Sequence, residues 1–270
     1  QYSCLNYITL QHIIETITGQ SLRDFAKENI FDILGMQYTD YLPTIQQQDG
    51  KWINTVACPW MDWIAPTEKQ KDGSVLCGQV HDPLARILNG GISGNAGIFS
   101  NANDIGILAA ALLNGGEYNG RRILSPLGVK TMCTVPRELT AFGRTPGWDI
   151  FSPYASNKGD LFSPNTFGHT GYTGTSIIID PDNDTAVILL VNAVHPEDRH
   201  SIVRLRSLVA NAVAASICPP AQVYTDHYYK RFLQFETETP ISPKDIVMVG
   251  NSLTENGCLL YTSPSPRDQR

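Results

Sequence analysis

Residues 168–175 read Gly-His-Thr-Gly-Tyr-Thr-Gly-Thr and lead into a β-rich run, "SIIID". One imidazole, His169, stands among glycines and threonines, so the stretch holds a proton-exchanging group and almost no side-chain bulk. Glycine weakens a strand unless something must approach the backbone closely. A bare shelf of this kind would let a ligand lie along the chain and pair with its amides. From spacing alone, a structural turn and a ligand shelf are both open.

Other chemistry-bearing residues fit their templates less well. Asp180, Asp182 and Asp184 match the first three ligand positions of an EF-hand loop, but Thr185 and Val191 stand where the template needs Gly and a bidentate Glu. "DPDND" therefore reads as a hairpin turn. "GGISGNAG" (90–97) lacks both GxGxxG and a GK[ST] ending, so it reads as a close-packed loop beside another site rather than a phosphate cradle. Cys4, Cys58, Cys77, Cys133, Cys218 and Cys258 lack metal-ligand spacing and read as unpaired thiols. No metal or cofactor is expected. His12, His81, His195, His200 and His227 read as surface or capping residues.

The elements around these residues follow from periodicity and punctuation. Ile8, Ile13, Ile14 and Ile17 sit near helical spacing and Gly19 ends that run. Ser21 caps a second helix with a stripe of Leu22, Phe25, Ala26 and Ile30, stopped by Gly35. Residues 37–80 read as long loops, the kind that often line sites. Asp82 and Pro83 start a helix, "NDIGILAAALLNGG" is another, and "SPLGVKTMCT" a shorter one. Strands are expected at about 173–180 and 185–192, then a long amphipathic helix in "RHSIVRLRSLVANAVAASI". Helices, a hairpin and a covering helix make an α+β domain with an incomplete sheet.

"QYSCLNY" adds a Tyr-Ser pair at the opening of a helical segment, followed far downstream by His-Thr-Gly on a strand. With "NYITLQHIIETITGQSLRDFAKENIFDILGM", "VHDPLARILNGGISGNAGIFSNANDIGILAAALLNGG" and "GWDIFSPYASNKGDLFSPNTFGHTGYTGTSIIIDP", this order resembles the β-lactamase-related serine hydrolases. That family includes class C β-lactamases, penicillin-binding D-Ala-D-Ala peptidases and esterase relatives. The resemblance covers about residues 1–217 and implies a β-lactamase/transpeptidase-like fold, here partial. The first strands and the nucleophile helix are expected upstream of Gln1.

In relatives a serine of an SxxK motif attacks an acyl carbonyl, a tyrosine of a Tyr-x-Asn motif is the base, and a Lys-Thr-Gly or His-Thr-Gly strand lines the opposite wall. Carried over, Tyr2 is the base, His169, Thr170 and Gly171 are the strand motif, and the Tyr172 N–H is an oxyanion donor, with Thr173 and Asn95 as further substrate contacts. Cys4 occupies the motif's Asn position, and no serine in the chain is followed three residues later by lysine. A neutral His169 in place of lysine attracts a substrate carboxylate less, leaning toward ester or amide substrates. The implied substrate is a small ester, a β-lactam or a peptidoglycan peptide, and the implied location periplasmic or secreted. The alternative is a non-catalytic module that binds peptidoglycan or peptide on the same shelf.

Residues 218–244 read as a linker. "IVMVGNSLTENG", within 245–257, resembles the first block of SGNH esterases, with a buried parallel strand and Ser252 as its nucleophile. Residues 258–270 read as a non-native tail. A net charge of −6 without a Lys/Arg cluster argues against nucleic acid. No apolar run approaches the roughly 18 residues of a membrane span.

Overall fold

The computed structural model describes residues 3–152, 157–198 and 201–217, and the backbone of two short strands beyond them. Helix α1 (Cys4–Thr18) is capped by Ser3, whose hydroxyl accepts from Leu5 N at 3.3 Å, and ends at Gly19 in the left-handed region. Ile14 packs into the core, whereas Ile13 and Ile17 are exposed (44% and 79%), so the expected isoleucine stripe splits between two faces. The residue that α1 buries is Gln11. It accepts from Gly94 N (3.0 Å) and donates to Ile92 O (3.2 Å), pinning the 90–97 loop to the helix.

Helix α2 (Leu22–Ala26) continues through a wider π turn at Lys27–Phe31 into α3 (Asp32–Leu34). Ser21 accepts from Asp24 N and Gly35 ends the run, as expected. Short ladders then punctuate the long loops. Strand β1 (Asp40–Tyr41) pairs with β4 (Ile98–Phe99), while β2 (Thr44–Gln46) pairs with β3 (Trp52–Asn54). The helix expected after Asp82 is a single wide turn, Leu84–Leu88, although Asp82 does accept from Ala85 N at 2.8 Å. Helix α4 (Ala102–Leu113) is followed by the β5 (Glu117–Tyr118) and β6 (Arg121–Arg122) ladder and by α5 (Pro126–Cys133).

Helix α4 lies between two apolar clusters. Ala111 joins Leu22, Ala26, Phe31, Leu34, Met36 and Tyr41 on one side; Ala109 and Leu112 join Val129, Ile150, Phe167, Ile179 and Ala186 on the other. Alanines on both faces let both layers approach closely, and Ala109 and Ala111 are fully buried. The second layer rests on an antiparallel sheet of β7 (Phe167–Thr170), β8 (Ser176–Asp180) and β9 (Thr185–Leu189), in that order. Phe167 pairs with Ile179, His169 with Ile177 and Asp180 with Thr185. Helix α6 (Val203–Ser216) contacts β9, as α4 does.

Two expectations are corrected here. His-Thr-Gly does not begin the "SIIID" strand; His169 and Thr170 end a strand of their own, and residues 171–175 are the hairpin turn. Nor do all the glycines await a ligand. A Cβ on Gly168 would sit 2.2 Å from Ile177 O, so the neighbouring strand is what approaches it. Gly174 adopts φ +123 against Val191 O. "DPDND" is the β8–β9 turn, as expected. Buried Asp180 accepts from Ser163 N and Oγ (3.0 and 2.7 Å), Asp182 N (3.0 Å) and Asn183 Nδ2 (2.8 Å). Burial raises its carboxyl pKa, but those hydrogen bonds outweigh it and the net shift is downward.

Strand β10 (Val247–Gly250) pairs antiparallel with β11 (Cys258–Tyr261). The expected parallel strand is therefore a hairpin arm, and its partner comes from the segment set aside as a tail. Two apolar runs separated by a polar, Gly-containing connection satisfy each other's backbone groups locally. Cys4, Cys58, Cys77 and Cys133 are free thiols. Among the described residues no helix is long and apolar enough to cross a membrane, and no group of three His, Cys, Asp or Glu could hold a metal.

Gly168→Ala should force β7 away from β8, because backbone rather than a flexible side chain occupies the Cβ position. Overpacking of this kind costs about 1–3 kcal/mol, which should lower the urea midpoint of the chain. Unchanged stability would show that the strands can separate freely.

Candidate active site

The outer edge of β7 meets Asp149, which exchanges two backbone hydrogen bonds with Gly168 (2.9 and 3.0 Å). Its carboxylate accepts from Arg144 Nη2 (2.8 Å), Ser152 Oγ (2.6 Å) and Ser152 N (3.1 Å). Arg144 Nη1 in turn lies 3.4 Å from His169 Nε2, while His169 Nδ1 lies 3.0 Å from Thr170 O. A carbonyl can only accept, so Nδ1 carries the proton and Nε2 presents its lone pair to the guanidinium. Burial holds the His169 imidazole below its ordinary pKa; the Arg144 cation acts the same way, and Thr170 O and Asp149 oppose them. His169 is thus a neutral, oriented ring at pH 7, in line with the sequence reading.

Antiparallel ladders alternate between pairs that exchange hydrogen bonds and pairs that do not. Gly168 spends its groups on Asp149, so Thr170 also points its amide outward, away from β8. In the turn, Gly171 N donates to Thr175 O (2.7 Å), Gly174 N to Gly171 O (3.1 Å) and Ala193 N to Thr173 O (2.7 Å). Among the described residues no acceptor pairs with Tyr172 N–H. The Tyr172 side chain is 74% exposed; its ring stacks on His81 (5.7 Å, 20°) and its hydroxyl donates to Asp198 Oδ2 at 2.5 Å. That bond and the charge of Asp198 push the phenol pKa up. His81 Nε2 lies 3.3 Å from a Glu68 carboxylate oxygen, at ion-pair distance without hydrogen-bond alignment.

His169, Thr170, Gly171, Tyr172 and Thr173 thus lie on one strand end and its turn. Asn95 is held within its own loop, accepting from Ser93 Oγ at 2.7 Å, and that loop is packed as expected: a Cβ on Gly94 would sit 2.1 Å from Tyr7 O. Tyr2 and Ser252 lie outside the described residues. Sequence reasoning missed Arg144, Asp149, Glu68, Asp198 and the role of His81, which reads there as an ordinary residue before a helix. Only the five-residue separation of Arg144 and Asp149 in "RTPGWD" offered a local signal. A cavity of about 590 Å³, lined by Leu112, Val129, Ile150 and Phe167 among others, includes none of residues 168–173.

Helices on a small antiparallel sheet, with His-Thr-Gly closing its edge strand, define the β-lactamase/transpeptidase-like class of α+β proteins. The family model described as Beta-lactamase matches residues 1–211, and the chain belongs to that family. A putative D-alanyl-D-alanine carboxypeptidase of Escherichia coli K12 is 36% identical over 208 residues, covering 72% of this chain and 45% of that protein. A protein of the same description from Salmonella gallinarum is 34% identical over the same shares. The chain thus spans about half the length of the curated relatives it matches. A β-lactamase from Mycobacterium bovis shares the fold with a TM-score of 0.53 at 19% identity, covering 80% of this chain and 64% of that one.

A depressed histidine pKa means that the unfolded chain takes up the proton first. As pH falls below about 6.5, the unfolded value, stability should fall until the lowered folded pKa is passed. His169→Asn should flatten that part of the profile, read as urea midpoints from pH 7.5 downward. An identical slope in the variant would show that His169 does not titrate in this way.

Proposed function

We propose that the protein carrying this chain is a serine acyl hydrolase that works through an acyl-enzyme. The observation that carries this reading is the Tyr172 N–H, which has no acceptor among the described residues, just past the end of the strand that holds a neutral and oriented His169. Acyl transfer needs a donor held where negative charge develops on the carbonyl oxygen, and removing one such donor costs about 10²–10³ in rate. A turn closed by three hydrogen bonds holds this donor without reorganisation. Thr170 and Gly171 line the wall beside it, and Tyr2 takes the proton of the nucleophile. In this reading the serine itself comes from an SxxK motif outside these 270 residues.

The names of the curated relatives support a peptidoglycan peptide ending in D-Ala-D-Ala as substrate. In this reading the protein is periplasmic or secreted, since such a peptide is hydrolysed outside the cytoplasmic membrane. His169 adds no charge of its own toward a carboxylate, and Arg144 is neutralised by Asp149 (2.8 Å). Esters and neutral amides therefore fit the strand at least as well as anionic β-lactams.

A fluorescent penicillin and a fluorophosphonate probe should leave residues 1–217 unlabelled and label the SxxK serine of the full-length protein. In that protein Tyr2→Phe should slow acylation by about 10²–10⁴-fold, the usual contribution of a positioned base. A folded full-length protein that neither probe labels would replace this reading with a non-catalytic module binding peptidoglycan or peptide on the same strand.

A further inference from the structure

Arg206 of α6 is buried at 8% exposure, yet its position in the covering helix gives it no part in the chemistry above. Its Nη2 donates to Gly171 O at 2.9 Å and to Thr175 O at 3.1 Å. Among the described residues no carboxylate lies within ion-pair distance, and Nε is buried without a hydrogen-bond partner. Burial lowers its pKa, but a guanidinium keeps its charge in a protein. An unpaired charge buried in this way is costly, and among the described residues two carbonyl dipoles are what compensates it.

The two carbonyls are not arbitrary ones. Gly171 C=O and Tyr172 N–H belong to one peptide unit, which is planar and trans. A cation that fixes the carbonyl on the α6 side therefore points the N–H to the opposite side, away from the helix. It also draws electron density through the amide, and hydrogen bonds in such a chain strengthen one another by roughly 10–30% each. Gly174 N donates to the same Gly171 oxygen at 3.1 Å, adding to the pull. Thr175 O, the second acceptor, also takes the Gly171 N–H, so one guanidinium nitrogen grips both ends of the turn.

We infer that Arg206 is a positioning residue of the acyl-transfer site, aiming the Tyr172 N–H and making it a stronger donor to an oxyanion. The inference rests on the proposed function for its catalytic consequence, but not for its physical content. The buried charge also sets a positive potential behind the turn, in a setting where charges are poorly screened. Arg206 never meets the substrate; it acts through one peptide bond.

The test compares Arg206→Gln and Arg206→Lys in the full-length protein, with a fluorescent penicillin as the acylating probe. Arg206→Gln should slow acylation roughly tenfold, a part of the 10²–10³ lost with a whole oxyanion donor. The probe's non-covalent affinity should change less than twofold. Arg206→Lys, which keeps the charge and three donors, should recover most of the rate. Normal acylation by folded Arg206→Gln overturns the inference, as does a Lys variant no better than the Gln variant. A second measurement stands apart from activity: in ¹⁵N-tyrosine-labelled protein, the Tyr172 amide proton should move upfield in Arg206→Gln and return toward its position in Arg206→Lys. If wild-type protein resists acylation, the hydrolase reading falls, and this amide shift alone decides the role of Arg206. An unmoved Tyr172 amide then overturns it.

Discussion

Asp149 is the residue on which the candidate site is assembled. Its backbone is bound to Gly168 and its carboxylate gathers Arg144 and Ser152. Through Arg144 it reaches the His169 ring, so one buried acid ties together a strand edge, a loop and the cation that faces an imidazole. The arrangement works because Asp149 is nearly fully buried and each of its oxygens has a donor, so no buried acceptor is left unsatisfied. Remove it, and Arg144 loses its counter-charge beside the ring it orients.

A second set of constraints comes from the opposite side. Arg206 holds the turn from α6, Tyr172 is clamped by His81 and Asp198, and Ala193 closes on Thr173. The segment from His169 to Thr175 is thus restrained from four directions, though it has little side-chain bulk of its own. Its rigidity is borrowed from residues distant in sequence. For a donor N–H this is useful, because a dipole already in place does not reorganise as charge develops.

The parts of the fold that were legible in the sequence are those decided within a few residues. Ser21, Gly19 and Gly35 cap helices where their types and neighbours say they should, and "DPDND" turns the chain between two β-rich runs. The His-Thr-Gly run was legible as a stretch with little side-chain bulk, but its glycines were misassigned: the close approach at Gly168 comes from β8 and not from a ligand. Isoleucine spacing in α1 gave the helix but not its buried face, because Gln11, a polar residue, makes the contacts that set the orientation. Arg144, Arg206 and His81 were invisible as site residues, since their partners are chosen by tertiary packing and leave no period or spacing behind.

The bridge between Asp149 and Gly168 also makes the two margins of the sheet unequal. On the β7 side the chain plugs its own ladder at Gly168, and the strand ends two residues later at Thr170. Among the described residues the β9 side has no such plug. An open ladder accepts any strand that arrives, and a blocked one does not. This sheet can be widened in one direction only, and the side that carries the motif is kept too short to become a place of assembly.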